Sequence, residues 1–439
     1  MISNEYKKLA RWAMNYGLKD GCQAVRISLY SGSDTELEVR NIQLDKLQQS
    51  SENQLMFQIF VDGRYGSFST NKLEKKELGK FIDQAVESVR FLALDPSRTL
   101  PDPAAYYKGG GVPLSLYDKK FREISPDDKL SLTKAAAEEI INADPRINSV
   151  QSSWSDGCSF RYIIDSNGFE GESEMSYYTL SVSVSVKGEG ESKPEAYWYN
   201  QALTFDELEK KNIGKIALER TLRKIGQKKV ASGNYPMLVD NMNGGRLVSP
   251  LISALMGSAL QQKNSFLLDK KGQKVLSEKV TITDDPQVPH AIGSRYFDNE
   301  GVATRKRTVF NKGVLETYFI DTYNAHKMET EPTVSGPSRL IFEQGNRNVE
   351  EMIKSLDRGI FVTGFNGGNN NSTSGDFSFG IEGFLIENGK LTQPVTEMNI
   401  TGNLLTLWSN IAEIGNDPRK NEANQIPSLL FNDVAFSGL

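Results

Sequence analysis

The sequence predicts an α+β protein of two domains. The N-terminal domain is expected to contain duplicated helix, antiparallel-sheet and helix layers, and the C-terminal domain to be mostly β, barrel-like or sandwich, around a buried helix. Three observations carry this. A chain of 439 residues, 38% hydrophobic and 24% charged, exceeds what one average core serves. In the N-terminal half the apolar spacing passes from three or four residues to two and back, and then does so again. The C-terminal half opens on one apolar, helix-like run and continues as short alternating segments parted by turn residues.

Residues 4–16 carry Tyr6, Leu9, Ala10, Trp12, Ala13 and Tyr16 at helical spacing, closed by Gly17. Alternation follows over 24–69 (Val25, Ile27, Leu29; Leu37, Val39; Leu55, Phe57, Ile59, Val61), with turns expected at Ser31-Gly-Ser33 and Asp62-Gly63. A helix over 72–91 completes the first unit, and a Pro- and Gly-rich stretch makes 95–120 a linker. The order then recurs: a helix capped by Ser125-Pro126 running to 141, alternation over 150–199 with a hairpin at Asn167-Gly168, and a helix over 204–225. Leu73-Glu-Lys-Lys-Glu-Leu-Gly-Lys80 and Leu208-Glu-Lys-Lys-Asn-Ile-Gly-Lys215 share words at the same place in the order, which favours a duplication of 1–95 and 120–229. The second domain is then 230–439.

That domain starts with a short strand at 237–239, a turn through Asn241, Asn243, Gly244 and Gly245, and the run Ser249-Pro-Leu-Ile-Ser-Ala-Leu-Met-Gly-Ser-Ala-Leu-Gln262. Ser249 reads as the helix cap and Pro250 as its first residue. With no charge before Lys263, the helix is expected to have no wet face. Strands are expected over 280–283, 304–310, 314–320, 339–342, 360–365, 377–386 and 429–436, and short helices over 323–328, 349–356 and 404–408.

Composition narrows the chemistry. A formal net charge of −5 gives no footprint for nucleic acid, and the basic cluster Arg305-Lys-Arg307 reads as a solvated strand face or edge guard, the alternative being a contact for an acidic partner. No apolar run is long enough for a membrane span, and the N-terminus lacks the apolar core of a signal peptide, so the expected location is cytoplasmic. Cys22 and Cys158 are expected to be reduced and structural. With His290 and His326 as the only imidazoles, no metal site is expected in this chain. Ser69/Lys72 and Ser131/Lys134 fit a Ser-x-x-Lys spacing that arises readily by chance, and no Gly-x-Ser-x-Gly elbow is present. Asp284-Asp285-Pro286 reads as a turn. Tyr197-Trp-Tyr199, ending a strand, reads as core packing or part of an interface. The most unusual stretch is Gly364-Phe-Asn-Gly-Gly-Asn-Asn-Asn-Ser-Thr-Ser-Gly-Asp376. It is either a mobile polar connection or a cradle whose backbone N–H groups hold an anion or an extended peptide, with Gly367, Gly368, Thr373, Ser374, Gly375 and Asp376 as candidate contacts.

Several stretches in order resemble the TldD/PmbA family (peptidase U62), also called modulators of DNA gyrase and classed as metallopeptidases. They are Asn264-Ser-Phe-Leu-Leu-Asp269, Phe297-Asp-Asn-Glu-Gly-Val302, Thr373-Ser-Gly-Asp376 with Gly383-Phe-Leu-Ile-Glu-Asn-Gly389, Thr401-Gly-Asn403, Trp408-Ser-Asn410 and Gly415-Asn-Asp417. In the TldD branch the apolar helix carries a His-Glu-x-x-x-His zinc motif, completed by a cysteine near the C-terminus. Here the motif positions fall on Ser249, Pro250 and Ala254, and residues 419–439 contain no cysteine. The resemblance is therefore to the PmbA/TldE branch. It implies a non-catalytic subunit of a cytoplasmic TldD/TldE-type metalloprotease complex, with zinc in a TldD-like partner, acting on unfolded peptides as a homo- or heterodimer. The alternatives are a stand-alone peptidase or hydrolase with an unrecognised site, marked by a pocket lined with buried, perturbed carboxylates, and a binding module for a DNA-associated partner.

Overall fold

The computed structural model describes residues 2–439. α1 (Asn4–Lys19) starts where the Ser3 side chain accepts the Tyr6 N–H. It runs past Gly17, which is buried within it because a Cβ there would stand 2.8 Å from the Phe57 ring. β1 (Ala24–Arg40), β2 (Gln43–Val61) and β3 (Arg64–Thr70) form an antiparallel meander, closed by α2 (Lys75–Val89). The turn expected at Ser31-Gly-Ser33 is instead straight strand inside β1. Gly32 leaves the space that Tyr30 fills, for a Cβ would lie 2.3 Å from the Tyr30 hydroxyl. The chain reverses later, at Asn41 and Ile42.

The order then repeats as α3 (Pro126–Glu138), β4 (Ile147–Asp165), β5 (Glu170–Val186), β6 (Glu195–Ala202) and α4 (Ile213–Leu222). α3 opens with a capping box between Ser125 and Asp128. α4 is shorter than expected: residues 203–212 are irregular, and Asn212 stands at φ 61° just before the helix. The strand order β3-β2-β1-β4-β5-β6 shows how the two units combine. They join edge to edge through β1 and β4, and all four helices share one core with Phe57, Trp154 and Tyr178 of the sheet.

The C-terminal half comprises β7 (Gly233–Val239), α5 (Gly245–Ala254), α6 (Gly257–Gln261), β8 (Ile282–Asp284), β9 (Arg307–Asn311), β10 (Val314–Leu315), α7 (Thr322–Lys327) and β11 (Leu340–Phe342). It continues with α8 (Val349–Lys354), β12 (Arg358–Asn370), β13 (Asp376–Glu387), β14 (Lys390–Asn403), α9 (Leu404–Ser409), β15 (Ile411–Ile414) and β16 (Leu429–Ser437). The order β14-β13-β12-β7-β16 returns to β14 through Ile400–Phe436 pairing, so five strands close on themselves and leave few open edges. β8 to β11 form a separate four-stranded sheet.

The apolar helix differs from expectation in three ways. It begins at Gly245 rather than Ser249, Pro250 lies inside it, and it breaks at Met256, whose extended backbone bridges to Phe319. Leu247, Val248, Leu251 and Leu255 enter the same core as Met237, Val362 and Phe431. Arg246, Ser249 and Ser253, at helical spacing, are exposed. The helix therefore does have a wet face. It is built from small hydroxyl side chains and one arginine upstream of the expected start, so a scan for charge within the expected helix overlooks it.

Candidate functional site

Three stretches far apart in sequence meet at the turn after β12. The Asn371 backbone N–H donates to the Asp376 carbonyl (2.7 Å), and the Asn371 side chain accepts the N–H groups of Thr373 (2.9 Å) and Ser374 (3.2 Å). The hydroxyls of Ser372 (2.5 Å) and Thr373 (2.7 Å) donate to Asn264 Oδ1. Asn403 Nδ2 donates to the Ser374 carbonyl (2.8 Å) and Asp376 Oδ1 (2.9 Å), while Ser374 Oγ donates to Asp376 Oδ2 (2.7 Å). The bonds from Asn403 and Ser374 hold the Asp376 carboxyl below the usual carboxylate range, so it is an ionised acceptor. Gly367 and Gly368, by contrast, form a bulge between β12 and β13. Gly368 has φ 83°, and a Cβ there would lie 2.1 Å from the Ser378 carbonyl, so only glycine fits. The bulge carbonyls are both taken by Arg246 Nη2, at 3.0 Å to Gly367 and 2.9 Å to Gly368, and the same guanidinium covers the Phe379 ring at 4.4 Å. The candidate residues therefore divide: Thr373 to Asp376 build one bonded turn, and Gly367 and Gly368 build a clamped bulge. Neither is a free run of N–H donors, and the stretch is strand and turn rather than a long loop.

Beside this hairpin lies a groove in two continuous parts. One, of about 480 Å³, opens between β6 and the end of α4 on one side and β12 and β13 on the other, with Tyr197, Phe361 and Thr363 in its walls. Lys224 Nζ reaches across to Glu382 Oε1 at 2.6 Å and ties the two halves of the chain together. The second, of about 430 Å³, shares Met242, Asn243 and Phe365 with the first and runs over Arg246, Ser249, Pro250 and Ser253 of α5 to Asn370 and Ser372. The wet stripe of α5 is thus the floor of this groove; Arg246 is a residue that sequence reasoning missed, and Phe365 and Asn370 lie within the 364–376 stretch but outside its candidate contacts. Arg246 was hidden because the helix was expected to start after it.

The residues that the resemblance aligns with the zinc motif do not fit zinc: Ser249 offers a neutral hydroxyl, Pro250 has no donor atom, and Ala254 is a buried methyl. Among the described residues, no group of three or more His, Cys, Asp or Glu stands close enough to share a metal. The His326 ring bonds to the Ser97 carbonyl (3.2 Å) and Thr99 (3.3 Å), and His290 lies elsewhere, its backbone N–H donating to the Leu114 carbonyl. The carboxyls raised by burial are outside the groove. Asp284 accepts the N–H groups of Ser338 and Arg339, and Glu300 accepts from Thr322. Asp284 is therefore a strand residue that ties down the 338–339 segment. Ser69 lies near the end of β3 and Ser131 on α3, and neither hydroxyl bonds to its lysine. Lys306 pairs with Asp285 at 2.9 Å. In the aromatic run, Tyr197 is exposed in the groove, whereas Arg419 covers Trp198 and Tyr199. Cys22 and Cys158 are free and buried.

Comparison with known proteins bears on the whole chain. Residues 232–438 match the PmbA/TldA metallopeptidase C-terminal domain, residues 119–225 the central domain and residues 25–89 domain 1 of the same family. The metalloprotease PmbA of Escherichia coli O157:H7 is 26% identical over 96% of this chain and 93% of its own length. A crystal structure from Bacteroides thetaiotaomicron, bearing the name modulator of DNA gyrase, is 58% identical over the whole of both chains with a TM-score of 0.98. TldE from Thermococcus kodakarensis, 22% identical, has the same fold with a TM-score of 0.85 over 98% of this chain and all of its own.

Proposed function

Because the chain belongs to the PmbA/TldD metallopeptidase family and fits its PmbA/TldE branch, we propose that it is a non-catalytic subunit of a cytoplasmic two-component metalloprotease. On this reading a TldD-like partner supplies the zinc, and this chain supplies a wall of the chamber and a channel for unfolded peptide. The observation that carries it is the pairing of an intact groove with an emptied helix. The groove runs over Ser249 and Pro250 of α5, and the resemblance aligns these two and the buried Ala254 with the zinc motif of the TldD branch, where none of them can serve as a ligand. The Ser249 and Ser253 hydroxyls make no side-chain hydrogen bond among the described residues, so no neighbour activates either as a nucleophile. What remains is suited to holding an extended chain, with aromatic walls, hydroxyls and the Arg246 clamp along the path.

The reading as a stand-alone hydrolase draws no support from the groove, since the raised carboxyls lie elsewhere and are bonded to backbone. A DNA-associated role draws little support from Arg305–Arg307, because Lys306 is paired with Asp285 and Arg307 is half-buried near the Asp284 carboxyl.

The test is to purify the chain alone, measure bound zinc, and assay cleavage of an unfolded peptide with and without the TldD-like protein of the same organism. We expect no stoichiometric zinc and no turnover alone, and turnover with the partner that exceeds the partner's own. Chelator-sensitive turnover by the isolated chain overturns the proposal, as does failure to co-purify with or stimulate the partner.

A further inference from the structure

We propose that the cavity between β5, the 113–116 segment and the 294–299 segment binds a small monocarboxylate with an apolar or aromatic body, its carboxylate held by Arg161. This goes beyond the proposed function and leaves that reading standing if it fails, because the cavity shares no lining residue with the groove over α5. The cavity encloses about 520 Å³, within the range of small-molecule sites. Its walls come from both halves of the chain, with Leu114, Phe160, Tyr296 and Phe297 as the large apolar surfaces. Tyr296 is fixed in place: its ring stacks on Tyr107 at 5.2 Å, and its hydroxyl donates to the Val112 carbonyl (2.7 Å) and accepts the Leu114 N–H (3.1 Å). The aromatic wall is therefore formed before a ligand arrives. Ser115, on the same wall, stands at φ 50°, in the region that favours glycine. It is pinned there because the Leu114 carbonyl accepts the His290 N–H (2.8 Å) and the Leu116 carbonyl accepts the Ser176 N–H (3.0 Å). Strain of this kind persists where the surroundings hold a wall in one position.

The group left without a counter-charge is the Arg161 guanidinium. Phe160 and Tyr162 enter the core beneath the helices, so Arg161 projects from the other face of the sheet, where Ile163 meets Phe297. Its Nη1 donates to a neutral acceptor, Asn299 Oδ1, at 2.8 Å. Nε and Nη2 have no partner among the described residues and are not sealed from solvent. Burial lowers the Arg161 pKa, with Arg26 adding to the fall and Asp298 opposing it. Asp298 already accepts three backbone N–H groups, and Arg295, the other cation of the wall, donates to Ser338 Oγ and to the Gly336 and Pro337 carbonyls. A guanidinium keeps its proton even when half-buried, and two free N–H donors on one side match the two oxygens of a carboxylate. Glu172 and Glu174 also line the cavity; both are exposed, and Glu172 pairs with Lys7. Their charge opposes a phosphate dianion more than a carboxylate, and so selects the monoanion.

The test is isothermal titration calorimetry of the full chain with 4-phenylbutyrate, 4-phenylbutanol and phenyl phosphate near neutral pH. We expect saturable one-to-one binding of 4-phenylbutyrate, with the alcohol and the phosphate each weaker by about tenfold or more. Arg161→Met keeps the length and removes the fork; it should weaken 4-phenylbutyrate by about tenfold or more without lowering thermal stability, because no half-buried charge is then left unpaired. Ser173→Trp, at an exposed position on the cavity wall, should fill the space and abolish binding, and it serves as the test if Arg161→Met does not fold. Absence of saturable binding by the wild-type chain up to about 10 mM overturns the proposal. So does an alcohol or a phosphate that binds as tightly as the carboxylate, or binding that survives Arg161→Met or Ser173→Trp.

Discussion

Replacing Arg246 by alanine tests whether the groove wall is held by one side chain. Its Nη2 donates to the Gly367 and Gly368 carbonyls at 3.0 and 2.9 Å, and its guanidinium lies 4.4 Å from the Phe379 ring centroid. Hydrogen bonds from a charged donor contribute about 1.5–3 kcal/mol when buried. Arg246 is exposed and one nitrogen serves both carbonyls, so about 0.5–1 kcal/mol is the appropriate share. The cation–π contact at an exposed site adds about 0.5–1 kcal/mol. The sum, about 1–2 kcal/mol, is local to the bulge and corresponds to a rise of roughly 5- to 30-fold in its opening equilibrium. Hydrogen exchange read by mass spectrometry should show that acceleration in peptides spanning 364–380, with the long β4–β5 ladder unchanged as an internal reference. Arg246→Lys keeps the charge but not the planar fork, and should fall between the two. Protection over 364–380 that stays within about twofold of wild type would mean that the bulge is held by its strand neighbours and that Arg246 is dispensable to the wall.

Three further outcomes follow from buried groups. Lys129 and Asp156 form an ion pair at 2.7 Å with side-chain exposures of 8% and 1%, joining α3 to β4, and Trp154 donates to the same carboxylate. Lys129→Ala should cost about 3–5 kcal/mol in urea unfolding followed by circular dichroism. Asp156→Asn with Lys129→Met should cost much less, because no charge is then stranded. Burial raises the Glu300 carboxyl, with Asp298 adding to the rise against the hydrogen bonds from Thr322. A folded pKa above the unfolded one means that the native state holds its proton longer, so stability from this group falls as pH rises from the unfolded value through the folded one. Glu300→Gln keeps an acceptor for Thr322 and should therefore gain stability relative to wild type at pH about 8 and lose that advantage near pH about 4. A difference independent of pH in thermal unfolding would show that Glu300 does not ionise against a burial cost. Burial, with Asp20 adding to it, pushes the Cys22 thiol up to about 12. Iodoacetamide at pH about 8 should leave Cys22 unmodified in the native chain and label it on unfolding, as mapped by mass spectrometry.

Where the elements were legible, a local physical signal was strong. The Ser125 cap, the Asp62-Gly63 and Asn167-Gly168 reversals and the Leu180–Val186 alternation each act within a few residues and stand as expected. The failures came from glycines with tertiary reasons. Gly17 makes room for Phe57 and Gly32 for Tyr30, so neither punctuates the chain. β14 was missed because Pro394 interrupts it and register shifts near Gly383 and Ile386 break its alternation against β13. The closure of five strands was legible only as a crowd of strands around one helix, since the β14–β16 pairing joins residues too far apart in sequence for any local pattern to mark.

The site divides along the same line, and the division bears on how far a resemblance carries function. The stretches that gave the resemblance mostly fix backbone. Asp298 accepts the N–H groups of Glu300 (2.8 Å), Val302 (3.0 Å) and Ser335 (2.8 Å). Asp417 accepts the N–H and hydroxyl of Ser428, both at 2.8 Å, and Asn264, Asn403 and Asp376 tie down the turn after β12. Side chains that satisfy buried or strained backbone are needed by any protein with this fold, whether or not it performs chemistry. Such motifs report architecture, and a chain can keep all of them while losing its reaction. Function rests instead on the few positions that the fold does not require. On α5 the proposed reading puts these at Ser249, which is exposed, and Pro250, which is half-buried, neither of which donates a side-chain hydrogen bond that holds the helix in place, whereas Ala254 belongs to the core. The proline even removes an intrahelical bond that the helix would otherwise make. Since stability does not call for the exposed Ser249 hydroxyl, introducing histidine there should leave the fold intact, with unchanged far-ultraviolet circular dichroism and a change in unfolding free energy within about 0.5 kcal/mol. A large loss at this exposed position would show that the groove floor is set by packing, and that its side chains cannot be read as a record of chemistry.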